Sequence, residues 1–177
     1  MNVLFRPVEL EMDHDTYMKF LIRHHDDLGL PYDFPIKLSF LASPLVYGKA
    51  LLVFDEDDFE VVGAAGFVSG TGADEFQDRT RCQVEIVFLR KEVRSGTTFA
   101  RGLRALLELM RNEAEGAEVR DVLFWLTAEQ GREKLFAKLL ALPGAETTPT
   151  DGLLRCVVPF PELDAYARRL DKRLARA

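Results

Sequence analysis

Cysteine is scarce in this chain: there are two, Cys82 and Cys156, both inside apolar runs. That usage excludes a disulfide framework and reads as buried free thiols of a reducing compartment. No apolar run approaches the roughly 20 residues a helix needs to cross a bilayer, so no membrane partner is expected. The opening MNVLFRPVEL has no basic segment leading into a long apolar stretch. No signal peptide is therefore expected, and a cytoplasmic location is the default. Positive charge is in deficit, with 23 Lys and Arg against 29 Asp and Glu and a net charge of −6. That balance argues against nucleic acid as a partner. There is no Gly-x-Ser-x-Gly elbow for Ser-His-Asp catalysis. The Gly-Lys-Ser/Thr ending of a phosphate loop and the three-glycine dinucleotide spacing are also missing. His24, His25, Asp26 and Asp27 form a run, HHDD. Adjacent helical residues point apart, so no metal site is expected there.

The chain does have 47% hydrophobic and 29% charged residues over 177 positions, the balance and length of one globular domain. The patterning predicts strand, two helices, three strands, helix, strand, helix, two strands, helix. VLFRPVEL reads as a first strand, with Pro7 suiting a sheet edge. A helix follows, capped by Asp13 or Asp15 and ended by Gly29, with Tyr17, Phe20, Leu21, His24 and Leu28 on one face. Pro35 opens a second helix, which Pro44 stops or kinks. Two strands around the acidic turn Asp55 to Asp58 make a hairpin. In RCQVEIVFL, strict alternation puts Cys82, Val84, Ile86 and Phe88 on one face and Gln83, Glu85, Val87 and Leu89 on the other. The next helix carries the stripe Phe99, Leu103, Leu106, Leu107 and Met110, and Gly116 closes it. DVLFWLT is a continuously apolar strand that makes Trp125 a core residue. TAEQ is a capping box opening one helix with Leu135, Phe136, Leu139 and Leu140 inward. A hairpin with Pro149 and Gly152 in its turn precedes a basic C-terminal helix over 161–177. The result is an α/β (α+β) domain with a mixed sheet and helices on both faces. The face with Leu163, Tyr166, Leu170 and Leu174 can pack on its own sheet or on a second chain as a homodimer.

The stretch VEIVFLRKEVRSGTTFARGLRALLELM, from Val84 to Met110, carries the chemistry. Small residues Ser95, Gly96, Thr97 and Thr98 stand between the strand and the long helix, with Arg94 just before them. The first N–H groups of a helix lack internal partners and attract anions, so a phosphate or pyrophosphate fits there. The same pattern also suits an ordinary helix start capped by Ser95 or Thr97. Glu85 lies between Val84 and Ile86, where desolvation would raise its pKa toward that of a useful base. Its structural alternatives are a strand carboxylate facing solvent and an ion pair with an arginine such as Arg81 or Arg90. His24 is either a core histidine or a proton carrier.

EIVFL, VRSGTTFARGL and ALLELM, together with the element order along nearly the whole chain, resemble the GNAT superfamily of acyl-CoA-dependent N-acyltransferases. That resemblance implies a mostly antiparallel sheet in one domain over 1–177 and acetyl-CoA as acyl donor, with no metal. The acceptor it implies is a primary amine on a small molecule or peptide. The loop N–H groups around Arg94, Ser95, Gly96, Thr97, Thr98 and Phe99 would hold the pyrophosphate of CoA. The strand backbone at Val87, Phe88 and Leu89 would pair with the pantetheine arm. Glu85 would be the general base, with His24 and Tyr32 near the acceptor pocket. The chain departs from the family at Thr97 and Phe99, where small residues are usual. It departs again at Glu129, where Asn is frequent, and at Phe136, where Tyr is. The alternative is a non-catalytic domain that binds CoA or a protein partner.

Overall fold

A computed structural model describes residues 2–114 and 118–174, with backbone only at 171, 173 and 174. Among the described residues, seven strands form one sheet in the order β1-β2-β3-β4-β5-β7-β6. The strands are β1 (Val3–Pro7), β2 (Gly48–Asp55), β3 (Val61–Ser69), β4 (Arg81–Leu89), β5 (Asp121–Thr127), β6 (Glu146–Thr150) and β7 (Leu153–Pro159). All neighbours are antiparallel except β4 and β5. Pro7 and Pro149 both lie in edge strands, where a missing N–H costs no ladder bond.

Helices cover both faces. α1 (Glu11–Arg23) and α2 (Phe34–Tyr47) bury Tyr17, Phe20, Leu21 and Leu41 against Ala50, Leu52, Ala64, Ile86 and Phe88. On the other face, α3 (Gly96–Glu113) and α6 (Phe160–Leu174) bring Leu106, Leu107, Met110 and Leu163 against Leu51, Phe67, Cys82, Val122 and Val158. α4 (Ala128–Arg132) and α5 (Lys134–Leu140) follow β5, and Leu139 and Phe136 join that second cluster. Both cysteines are buried and free. Among the described residues, no helix is long and apolar enough to cross a membrane.

Several boundaries differ from the sequence expectation. α1 starts after Leu10, and Asp13 accepts the N–H groups of Glu9 and Leu10 while pairing with Arg6. It ends at Arg23, and Gly29 lies beyond it in a turn at φ 67. α2 continues through Pro44 to Tyr47. The TAEQ helix is two, because Glu133 is extended (φ −62, ψ 138). Gly116, expected to close α3, lies outside the described residues.

The most consequential difference is in β4. Gly66 pairs with Ile86 and Phe67 with Val84, so Glu85 is an extra residue, a β-bulge. Cys82 and Val84 face α3, but Ile86 and Phe88 face α1 and α2. Strict alternation would have kept all four together. Gly66, opposite the bulge, has no room for a side chain: a Cβ there would lie 2.7 Å from Pro44 carbons and 2.8 Å from the Tyr17 hydroxyl. Gly66→Ala should therefore cost about 1–3 kcal/mol by overpacking, read as a lower denaturation midpoint at unchanged slope. A midpoint equal to wild type would mean that α2 does not press on β3 as described.

Candidate active site

The bulge bends β4 away from its parallel neighbour. β4 and β5 pair at Arg81–Asp121, Cys82–Val122 and Gln83–Leu123, and there the pairing stops. An ion pair, Arg81 Nε to Asp121 Oδ2 at 3.2 Å, ties the closed end. Beyond it the two strands splay, leaving a wedge between Val84–Leu89 and Phe124–Thr127.

Backbone groups of β4 line one wall of this wedge. The Arg90 N–H donates to the Val62 carbonyl at 2.8 Å, so Arg90 faces β3. The Leu89 carbonyl faces the other way and accepts from Arg94 Nε at 2.8 Å. Backbone polarity alternates along a strand, so Val87 and Leu89 turn their N–H and carbonyl groups toward the wedge. Phe88 does not: its backbone faces β3, and its side chain is buried with α1 and α2.

Glu85 sits at the bulge on the α1/α2 face. Its Oε1 accepts from Gln83 Nε2 at 2.7 Å. Burial raises its carboxyl to about 7, although the Gln83 hydrogen bond pulls the other way. Neither Arg81 nor Arg90 neutralises it: Arg81 pairs with Asp121, and Arg90 pairs with Glu60 and Glu92. Tyr17 reaches in from α1. It is fully buried, and its hydroxyl has no hydrogen-bond partner among the described residues. Burial, then the charge on Glu85, push its pKa up. An unpaired hydroxyl contributes no favourable bond, so Tyr17→Phe should leave stability unchanged or raise it by up to about 1 kcal/mol. Chemical denaturation checks this, and a loss above about 1 kcal/mol would show that the hydroxyl is bonded.

At the mouth of the wedge, Ser95 caps α3 by accepting from the Thr98 N–H at 3.0 Å. The Phe99 N–H is used within the helix, donating to Ser95 O at 2.9 Å, and its ring packs into the α3-side core. The N–H groups of Gly96 and Thr97 are left at the helix start, both residues are exposed, and nothing lies within 4 Å of a Cβ built on Gly96. Arg94 is bound through Nε to the end of β4 and lies over Phe88, 5.9 Å from ring centre to guanidinium carbon. Among the described residues its terminal nitrogens find no hydrogen-bond partner. Open backbone N–H groups beside a fixed guanidinium fit a pyrophosphate, and the wedge-facing N–H groups of Val87 and Leu89 with the Val87 carbonyl fit an extended amide chain. The residues present thus suit CoA.

Other residues singled out in the sequence stand apart. His24 lies against Phe20 and Phe88, at 4.8 and 5.1 Å between ring centres, with Nδ1 3.6 Å from Asp27. It shares a shallow groove with Lys19, Arg23, Glu60 and Arg90 rather than facing Glu85. Tyr32 stacks on Phe40. Glu129 is exposed in the first turn of α4, where Thr127 and Gln130 form the expected capping box. Trp125 is not core: it is 37% exposed. Sequence reading placed Tyr17 only in a core stripe, since nothing in the stripe says where its hydroxyl ends. Among the described residues, no three His, Cys, Asp or Glu side chains converge as a metal site.

No family model matches the chain, and no curated protein does. Solved structures do. The ribosomal-protein-S5-alanine acetyltransferase from Vibrio fischeri matches with a TM-score of 0.57 at 13% identity, covering 90% of this chain and 92% of that one. Salmonella typhimurium yncA, solved with its cofactor acetyl-CoA, gives 0.56 at 14% identity over 90% and 95%. FdhC, a nucleotide-linked sugar GNAT, gives 0.57 at 13% identity over 94% and 92%. The chain has the fold of the GNAT acetyltransferases.

Proposed function

We propose that the protein is an acyl-CoA-dependent N-acyltransferase that moves an acetyl group from acetyl-CoA to a primary amine. The observation that carries this reading is the wedge between β4 and β5, with the half-buried Glu85 carboxyl, hydrogen-bonded to Gln83, at its inner end and a helix N-terminus at its mouth. The acetyl-CoA bound to yncA, a protein of the same fold, supports the choice of donor.

When bound, acetyl-CoA would supply the thioester carbon that the amine attacks, the C–S bond breaking as CoA leaves as its thiolate. The chain's residues do the rest. Arg94 and the Gly96 and Thr97 N–H groups hold the pyrophosphate, and the Val87 and Leu89 backbone holds the pantetheine in line. Glu85 takes the proton that the amine must lose, a role suited to a carboxyl titrating near 7. Val87 and Leu89 are also the source of a backbone N–H for the thioester oxygen.

Ligand-dependent melting tests the reading. At about 100 times its dissociation constant, acetyl-CoA should stabilise the fold by roughly 2.7 kcal/mol, a rise on the order of 5–10 °C for a domain of this size. No rise at millimolar acetyl-CoA overturns the ligand and the reaction together. One observation favours a non-catalytic CoA-binding domain instead: Phe136 packs into the core cluster, so α5 presents no phenol there to protonate a departing thiolate. A melting shift without transfer to any amine in a broad panel would select that second reading.

A further inference from the structure

Glu85 belongs to a row of side chains that crosses the sheet. Gln83 pairs with Leu123, so Glu85 and Trp125 stand at the same level on either side of the wedge. Trp125 pairs with Arg155, and Arg155 pairs with Thr148. The faces agree as well. Val122 and Phe124 on β5 and Val158 on β7 pack toward α3 and α6. Trp125 and Arg155 therefore point to the opposite face, which is the face of Glu85.

Trp125 is the only tryptophan in the chain and is 37% exposed. Arg155 is half-buried, yet it has no hydrogen-bond or ion-pair partner among the described residues. Glu146, two residues from Thr148 on the same face of β6, does not pair with it. A half-buried guanidinium is costly without an anion, and its planar fork matches an oxyanion group. Strands are about 4.8 Å apart, so Glu85 and Arg155 stand roughly 10 Å apart plus the opening of the wedge.

We propose that Arg155 is the anion-binding end of the acceptor site, with Trp125 as its apolar floor. The acceptor is then a primary amine carrying a carboxylate or similar oxyanion at the far end of an apolar spacer. The inference rests on the acyltransferase reading for placing the amine at Glu85, but its test does not need turnover. Trp125 is a built-in probe, and its fluorescence is titrated with ω-aminooctanoate and with the neutral match aminooctanol, with and without saturating CoA.

The wild-type protein should bind the carboxylate about ten- to a hundred-fold more tightly than the alcohol. Arg155→Gln should bring both ligands to the same weak affinity, and Arg155→Lys should recover part of the difference by keeping the charge. Melting temperatures of both variants confirm that they fold. Equal wild-type affinities, equal weakening of both ligands by Arg155→Gln, or no saturable response to either ligand would overturn the subsite. A protein that acetylates amines without this preference keeps the enzyme reading and loses the subsite. One that binds the carboxylate but transfers nothing does the reverse.

Discussion

Glu85→Gln should lower turnover by roughly 10²–10⁴-fold while leaving CoA affinity nearly unchanged. The amide keeps the shape of the carboxyl and can still meet Gln83, but it cannot accept the amine's proton. The Glu85 carboxyl lies near Tyr17 of α1 rather than at the α3 loop, so phosphate binding has no reason to change. The pH profile gives a second readout. The wild-type acidic limb should fall near pH 7, where Glu85 titrates, and the variant should lack it.

Stability provides a third. The folded Glu85 carboxyl titrates near 7 and the unfolded one near 4.5, so between those values the folded state holds the extra proton. The Glu85 contribution therefore grows less favourable as pH rises from 4.5 to 7. Glu85→Gln should remove that slope and be the more stable protein above pH 7. This outcome separates a base from the partner of an ion pair, because a broken buried pair would destabilise by about 3–5 kcal/mol. A destabilised variant with proportionate loss of activity would assign Glu85 to structure.

Arg94→Ala should weaken CoA by about 10- to 100-fold, the range expected for losing a charge-assisted contact to phosphate. A pantetheine fragment without the pyrophosphate should lose far less. Arg94 also ties the loop to Leu89 through Nε, so part of the loss comes from a freer loop. Arg94→Lys divides the two: it keeps the charge and gives up the fixed Nε donor. Calorimetric titration of both ligands against both variants gives the division. Equal losses for CoA and the fragment would place the pyrophosphate away from α3.

The sequence made the element order legible because each helix and strand carries its own periodicity. The α3 stripe and the capped loop before it could be read locally, as could Glu85 as a carboxyl among apolar neighbours. The bulge could not. Cys82, Val84, Ile86 and Phe88 alternate without a break, so nothing within β4 marks the extra residue. The wedge was equally hidden, since a strand's sequence does not say where its pairing with a distant neighbour ends. Trp125 misled for a related reason. A continuous apolar run suggests cover on both faces, but α4, α5 and α6 pack on one side of β5 and leave the indole part-exposed on the other. Tyr17 and Arg155 gain meaning only from what the fold places, or fails to place, beside them.

The central claim is that the wedge between β4 and β5 receives an acyl-CoA. At 20.1 kDa the chain is within reach of backbone amide NMR, and titration with CoA tests the claim residue by residue. Saturable shifts should concentrate at Val87 and Leu89 on β4 and at Gly96 and Thr97 at the start of α3, with smaller ones along Phe124–Thr127. Saturable shifts that avoid these residues, or no shifts at millimolar CoA, would contradict it.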